Sequence, residues 1–233
     1  MSTLPLIMVP GLLCSEALFA PQVAALGDRV AVTVSRAQRD FDSLPAIAEA
    51  ILAEAPPRFA LAGLSFGGYV AFEILRRAPE RVARLALLDT SARPDEPERA
   101  VLRRQFVAQA STGRFLGITD RLLPSFIHPD RLQDTALTGI VKAMAQEVGA
   151  EAFVRQQTAI LARPDSRPDL PNIACPTLVL CGRQDQLTPL EQHREMADAI
   201  PGARLVIVEE CGHLATLERP ESVNGALDRW LTV

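Results

Sequence analysis

Six short runs, residues 6–9, 30–34, 59–64, 85–88, 177–180 and 205–208, are apolar nearly throughout, with no regular alternation of polar positions. A strand with one face in water alternates, whereas a strand covered on both faces does not, as in parallel sheets. Longer helical stretches separate the runs. One covers 44–54 with Ser43 as N-cap and stops at Pro56-Pro57, and a nearly all-apolar one covers 66–77 and ends near Pro79. Two more cover 189–200, closed by Pro201-Gly202, and 221–230. This alternation predicts right-handed βαβ units and an α/β fold built on a mostly parallel, doubly wound sheet.

One stretch breaks the rhythm. Residues 91–171 hold no strand-like run, only helical pieces at about 97–110, 117–123, 129–148 and 151–161, punctuated by Pro and Gly. A helical cap inserted between two core strands is expected, with 1–90 and 172–233 forming the core and 91–171 the insertion. A chain of 233 residues is long enough for one large core carrying such an insert.

The segment Gly63-Leu64-Ser65-Phe66-Gly67 matches G-x-S-x-G between an expected strand and an expected helix. That is the setting of a nucleophile elbow, in which a tight turn lifts the serine Oγ above the sheet and flanking glycines leave room for it. An unassisted serine is a poor nucleophile and needs a base. Of the three histidines, His213 follows the run 205–208 and so lies at the carboxyl end of a strand, where open α/β sheets place their sites. His193 falls within an expected helix and reads as solvated. His128 precedes Pro129 in the cap and is a candidate pocket residue. The base needs an acid to set its tautomer. Asp185 follows the run 177–180, giving the chain order Ser, Asp, His; Asp89, after the run 85–88, is the rival, its structural role being a loop acid bonded to backbone. The backbone N–H groups of Phe66 and of Leu12, in the turn after the first run, are the expected oxyanion donors. Phe115, Phe126 and Phe153 are the candidate apolar pocket residues of the cap.

The formal net charge of −4, with no dominant basic patch, argues against nucleic-acid and membrane partners. Cys14, Cys175, Cys181 and Cys211 form no metal-ligand spacing and read as buried reduced thiols, and no leader with a basic n-region is visible. A cytoplasmic enzyme without metal or cofactor is expected; oligomeric state is not legible.

Together these residues resemble the α/β-hydrolase superfamily outside the cap. The segments 87–92 (Leu-Leu-Asp-Thr-Ser-Ala) and 181–185 (Cys-Gly-Arg-Gln-Asp), with the short cap, look like its small bacterial esterase and enol-lactonase group. In such enzymes the first turn often reads His-Gly-x; Pro10 stands here instead of that histidine. The resemblance implies hydrolysis of a small ester or lactone through an acyl-enzyme on Ser65. The same residues also serve C–C bond hydrolysis or a cofactor-free perhydrolase reaction. A ligand-binding protein of the same fold is the non-enzymatic reading, against which the ordered Ser-Asp-His set argues.

Overall fold

The computed structural model describes residues 4–232. Six strands, β1 (Leu6–Val9), β2 (Val32–Val34), β3 (Phe59–Leu64), β4 (Val82–Leu88), β5 (Thr177–Gly182) and β6 (Arg204–Val208), form one sheet in the order β2-β1-β3-β4-β5-β6. Every neighbouring pair is parallel. Each of the six apolar runs has become a strand.

The strands lack alternation because both faces of the sheet are covered. Leu6, Met8, Ala60, Ala62, Ala86, Leu88, Leu178 and Leu180 pack on one side with α1 (Ala20–Leu26) and α8 (Pro220–Thr232). Their strand neighbours Ile7, Val9, Leu61, Leu85, Leu87 and Val179 pack on the other side with α2 (Leu44–Glu54), α3 (Phe66–Arg77) and α6 (Leu190–Ala199). Successive strand side chains point to opposite faces, so a doubly covered sheet needs apolar residues at every position.

The stretch between β4 and β5 contains helices and no strand: α4 (Pro97–Ser111) and α5 (Thr135–Leu161), joined by short 3-10 turns. Gly149, at φ 75°, interrupts α5 where the sequence separates two helical pieces. Two expectations fail here. Residues 117–123 are not a helix: Gly117 sits at φ 63°, which a right-handed helix cannot start from, and only Leu123–Ser125 makes a 3-10 turn. The helix expected from 129 begins at Thr135, because Asp134 caps it by accepting the Leu137 N–H at 3.0 Å. Ile118, Leu137, Val141, Met144 and Phe153 join the core on one face of the sheet, so this segment packs as an extension of that core. No helix among the described residues is long and apolar enough to cross a membrane.

Candidate active site

Ser65 occupies the turn between β3 and α3 at φ 54°, ψ −112°. The strain of a non-glycine residue there persists because the surroundings over-determine it. The Ser65 N–H donates to the Leu88 carbonyl at 2.9 Å, and both flanking glycines are sterically required. A Cβ on Gly67 would lie 1.9 Å from the Val9 carbonyl oxygen, and one on Gly63 would lie 2.3 Å from that of Gly67. The helix can approach the neighbouring strand closely enough to present Ser65 only with hydrogen at both positions.

The loops after β5 and β6 bring the other two candidates to the serine. His213 Nε2 lies 2.9 Å from Ser65 Oγ, and His213 Nδ1 lies 2.8 Å from Asp185 Oδ2. With Nδ1 protonated, the ring donates to Asp185 and accepts from the serine hydroxyl, which is the arrangement a base needs. Asp185 is tightly held: Oδ1 accepts the N–H groups of Leu187 (2.8 Å) and Thr188 (3.0 Å), and Oδ2 accepts the Thr188 hydroxyl at 2.7 Å. Burial works to raise its carboxyl, but the charge of His213 and hydrogen bonds from His213 and Thr188 outweigh this and hold it below its usual range.

Asp89, the rival acid, is fully buried and does not reach the histidine ring. Its Oδ1 accepts the Gly182 N–H at 2.9 Å and its Oδ2 the Ala215 N–H at 3.1 Å. It therefore ties the start of the Asp185 loop to the segment just after His213. Burial, and then the nearby Asp185 carboxylate, push the Asp89 carboxyl well up. Glu218, on the short helix α7 (Ala215–Glu218), plays a similar part. Its Oε1 accepts from the N–H groups of Gly212 (3.0 Å) and Leu214 (3.2 Å), on either side of His213, while its Oε2 accepts the His128 N–H at 2.7 Å. Burial raises the Glu218 carboxyl, against these three hydrogen bonds.

Two histidines depart from expectation. His193 is buried, not solvated: its Nε2 accepts the Thr90 N–H at 3.0 Å, and burial lowers its pKa to about 4. The signal available in the sequence was its place on the apolar face of the helix, three residues after Leu190 and three before Met196. His128 does not line the cavity above Ser65; its Nδ1 instead accepts the Asp130 N–H at 3.2 Å, capping a 3-10 turn. Sequence reasoning also missed Thr188, Glu218 and Gln156, whose partners are remote in the chain or follow from loop shape. Of the four cysteines, Cys14, Cys181 and Cys211 are buried and Cys175 is half-buried; none forms a disulfide.

The turn after β1 runs beside the serine. A Cβ added at Gly11 would lie 3.4 Å from Ser65 Cβ. The Leu12 N–H has no acceptor among the described residues, and that of Phe66 opens α3, where no carbonyl precedes it in the helix. Gln156, from α5, accepts the Leu13 N–H at 3.1 Å and so braces this turn. Above it opens a cavity of about 960 Å³, at the upper end of the roughly 300–1,000 Å³ usual for small-molecule sites. Ser65, His213, Leu12 and Phe66 line it, with Phe115, Phe126 and Phe153.

A parallel doubly wound sheet with a serine on its strand–helix turn, and an Asp–His pair on the loops after the last two strands, defines the class of α/β hydrolases. The sequence profile of the alpha/beta hydrolase family matches residues 6–226, and the chain belongs to that family. A pimeloyl-[acyl-carrier protein] methyl ester esterase from Aromatoleum aromaticum is 32% identical over 192 residues, spanning 77% of this chain and 76% of that protein. An esterase from Thermogutta terrifontis superposes with a TM-score of 0.89 at 29% identity, covering 99% of this chain and 90% of the other. The enol-lactonase from Burkholderia xenovorans LB400 superposes at 0.87 and 27% identity, covering 99% and 92%.

Proposed function

We propose that this protein hydrolyses a small carboxylic ester or lactone through an acyl-enzyme on Ser65. The observation that carries the reading is the unbroken chain from Ser65 Oγ through His213 to Asp185, at 2.9 and 2.8 Å, on the wall of an apolar cavity. His213 takes the serine proton as Oγ attacks the carbonyl, and Asp185 stabilises the resulting imidazolium. The N–H groups of Leu12 and Phe66 receive the oxyanion. Collapse of the tetrahedral intermediate breaks the ester bond, and His213 returns its proton to the leaving alkoxide. His213 then activates water, which releases the acid and regenerates Ser65. Similarity to an esterase and to an enol-lactonase supports the choice of ester or lactone.

The test is a panel of small esters and lactones with the wild-type protein and Ser65→Ala, together with fluorophosphonate labelling. Turnover with labelling at Ser65, and loss on the order of 10⁴-fold or more in the variant, is the expected result. Retention of a tenth of the activity would overturn it.

A further inference from the structure

The cavity over Ser65 is mostly apolar but carries several polar side chains on its wall. Tyr69 on α3, Arg103 on α4 and Gln157 on α5 all line it, and each is buried. Arg103 donates from Nη1 to Gln157 Oε1 at 2.7 Å and from Nε to Asp95 Oδ2 at 2.5 Å. Arg163 donates from Nη2 to the other Asp95 oxygen at 2.8 Å, and its guanidinium lies over the Tyr69 ring, 4.4 Å from the centroid. Burial works to raise the Asp95 carboxyl, but hydrogen bonds from Arg163 and Arg103 outweigh it and hold the group ionised. With Arg99 Nε 3.9 Å from Asp95 Oδ1, three guanidiniums thus gather on one carboxylate, and the knot keeps a net positive charge at the cavity wall.

Hydrogen-bonding capacity is left over on the cavity side. Arginine has five N–H donors, and Arg103 uses three of them, the third a long 3.5 Å bond from Nη2 to Asp95. Gln157 commits its oxygen to Arg103, and its NH₂ group has no protein partner among the described residues; neither has the Tyr69 hydroxyl. The charge around the whole cavity has the same sense. Arg99, Arg103, Arg114 and Arg121 line it against Glu96 and Glu98, in a protein whose net charge is −4. A cleft of opposite sign to its protein concentrates ligands that the rest of the surface repels. The Gln157 NH₂ group and the Tyr69 hydroxyl thus face the cavity as unused donors, beside an Arg103 that Asp95 holds in place.

We propose that Tyr69, Arg103 and Gln157 form a subsite for an anionic group, so that the preferred substrate is an ester or lactone carrying a carboxylate away from the scissile carbonyl. This rests on the hydrolase reading above. Tyr69 lies four residues beyond Ser65, about 6 Å along the axis of α3, so a short aliphatic spacer joins the two groups.

Monomethyl and dimethyl esters of glutarate, adipate and suberate are matched in length and differ in charge. The monoester is expected to exceed the diester in kcat/KM by tenfold or more. In Gln157→Glu, which sets a carboxylate of similar shape on the subsite, that ratio is expected to fall at least tenfold. Arg103→Met is expected to lower it as well. Protection of Ser65 from fluorophosphonate by adipate against hexanoate reads the same preference without turnover, and adipate should protect tenfold better. A wild-type ratio near one with equal protection, or an unchanged ratio in both variants alongside a lower melting temperature, would overturn the subsite and leave the knot as a brace. Absence of both ester turnover and labelling at Ser65 would instead overturn the hydrolase reading, while the protection arm fails only if adipate and hexanoate also bind alike by calorimetry.

Discussion

The carbonyl of Phe126 accepts the backbone N–H of His213 at 2.9 Å, and the two rings meet edge to face with centroids 6.4 Å apart. The segment between β4 and β5 thus holds the histidine loop directly as well as walling the cavity. Glu218 closes the same link from the other side through His128, Gly212 and Leu214. Removing its carboxylate in Glu218→Ala leaves three backbone N–H groups without their acceptor, at about 1–3 kcal/mol each when buried, though not additively. A stability loss of about 3 kcal/mol or more is expected, with kcat/KM down on the order of 100-fold. Glu218→Gln, which keeps one acceptor oxygen, should fall between. Melting curves and ester kinetics check this; wild-type kcat/KM in a destabilised Glu218→Ala would show that the clamp does not position His213.

Asp185 and Asp89 are expected to separate activity from stability. Asp185→Asn removes the acceptor that sets the His213 tautomer and should lower kcat by on the order of 10⁴-fold. Asp89→Asn replaces one of two accepting oxygens with an NH₂ group facing a backbone N–H, at Gly182 or Ala215. That change should cost about 1–3 kcal/mol of stability while leaving most of the activity. Chemical denaturation beside ester kinetics decides. If Asp89→Asn were the more damaging to kcat, the acid would be misassigned.

Burial of neutral His193 should make stability depend on pH. Its folded pKa of about 4 lies below the 6.5 of an unperturbed histidine. Between these values the unfolded chain binds the extra proton, so stability is full above pH 6.5 and declines as pH falls toward 4. From pH 7 to 5 the loss is about 2 kcal/mol, at 1.36 kcal/mol per pH step below 6.5. In His193→Gln this component is absent, so the gap between wild type and variant should narrow by that amount. Urea midpoints at the two pH values measure it, and a constant gap would contradict the assignment.

Phe115 and Phe153 pack with ring centroids 5.4 Å apart in the cavity wall, and Phe126 lines it beside His213. Phe115→Ala, Phe126→Ala or Phe153→Ala should, for at least one position, shift preference between short and long acyl esters about tenfold, since a buried apolar side chain is worth roughly 1.5–3 kcal/mol. Fluorophosphonate labelling of Ser65 should persist in that variant. A uniform loss across chain lengths that follows melting temperature in all three would mark these rings as packing alone.

The chain's local pattern determined the sheet and the serine turn. Strand runs without alternation were readable because two covered faces demand apolar residues at consecutive positions, and helix ends were marked by the capping side chain of Ser43 and the missing N–H of Pro56 and Pro79. The glycines around Ser65 were legible because a Cβ there meets backbone only a few residues or one strand away. Local pattern favoured Asp185, one strand before the histidine, but kept Asp89 as a rival. Both follow parallel strands in direct register, Leu88 beside Leu180, and both emerge at the same edge. Tertiary structure decided between them: Asp89, at φ 42°, turns to the amides of Gly182 and Ala215, while the Thr188 loop aims Asp185 at the histidine. The partner of His193, the Glu218 clamp and the shared Asp95 knot were hidden. The His193–Thr90, Glu218–His128 and Asp95–Arg163 bonds join groups 103, 90 and 68 residues apart, and nothing in residue spacing encodes that they meet.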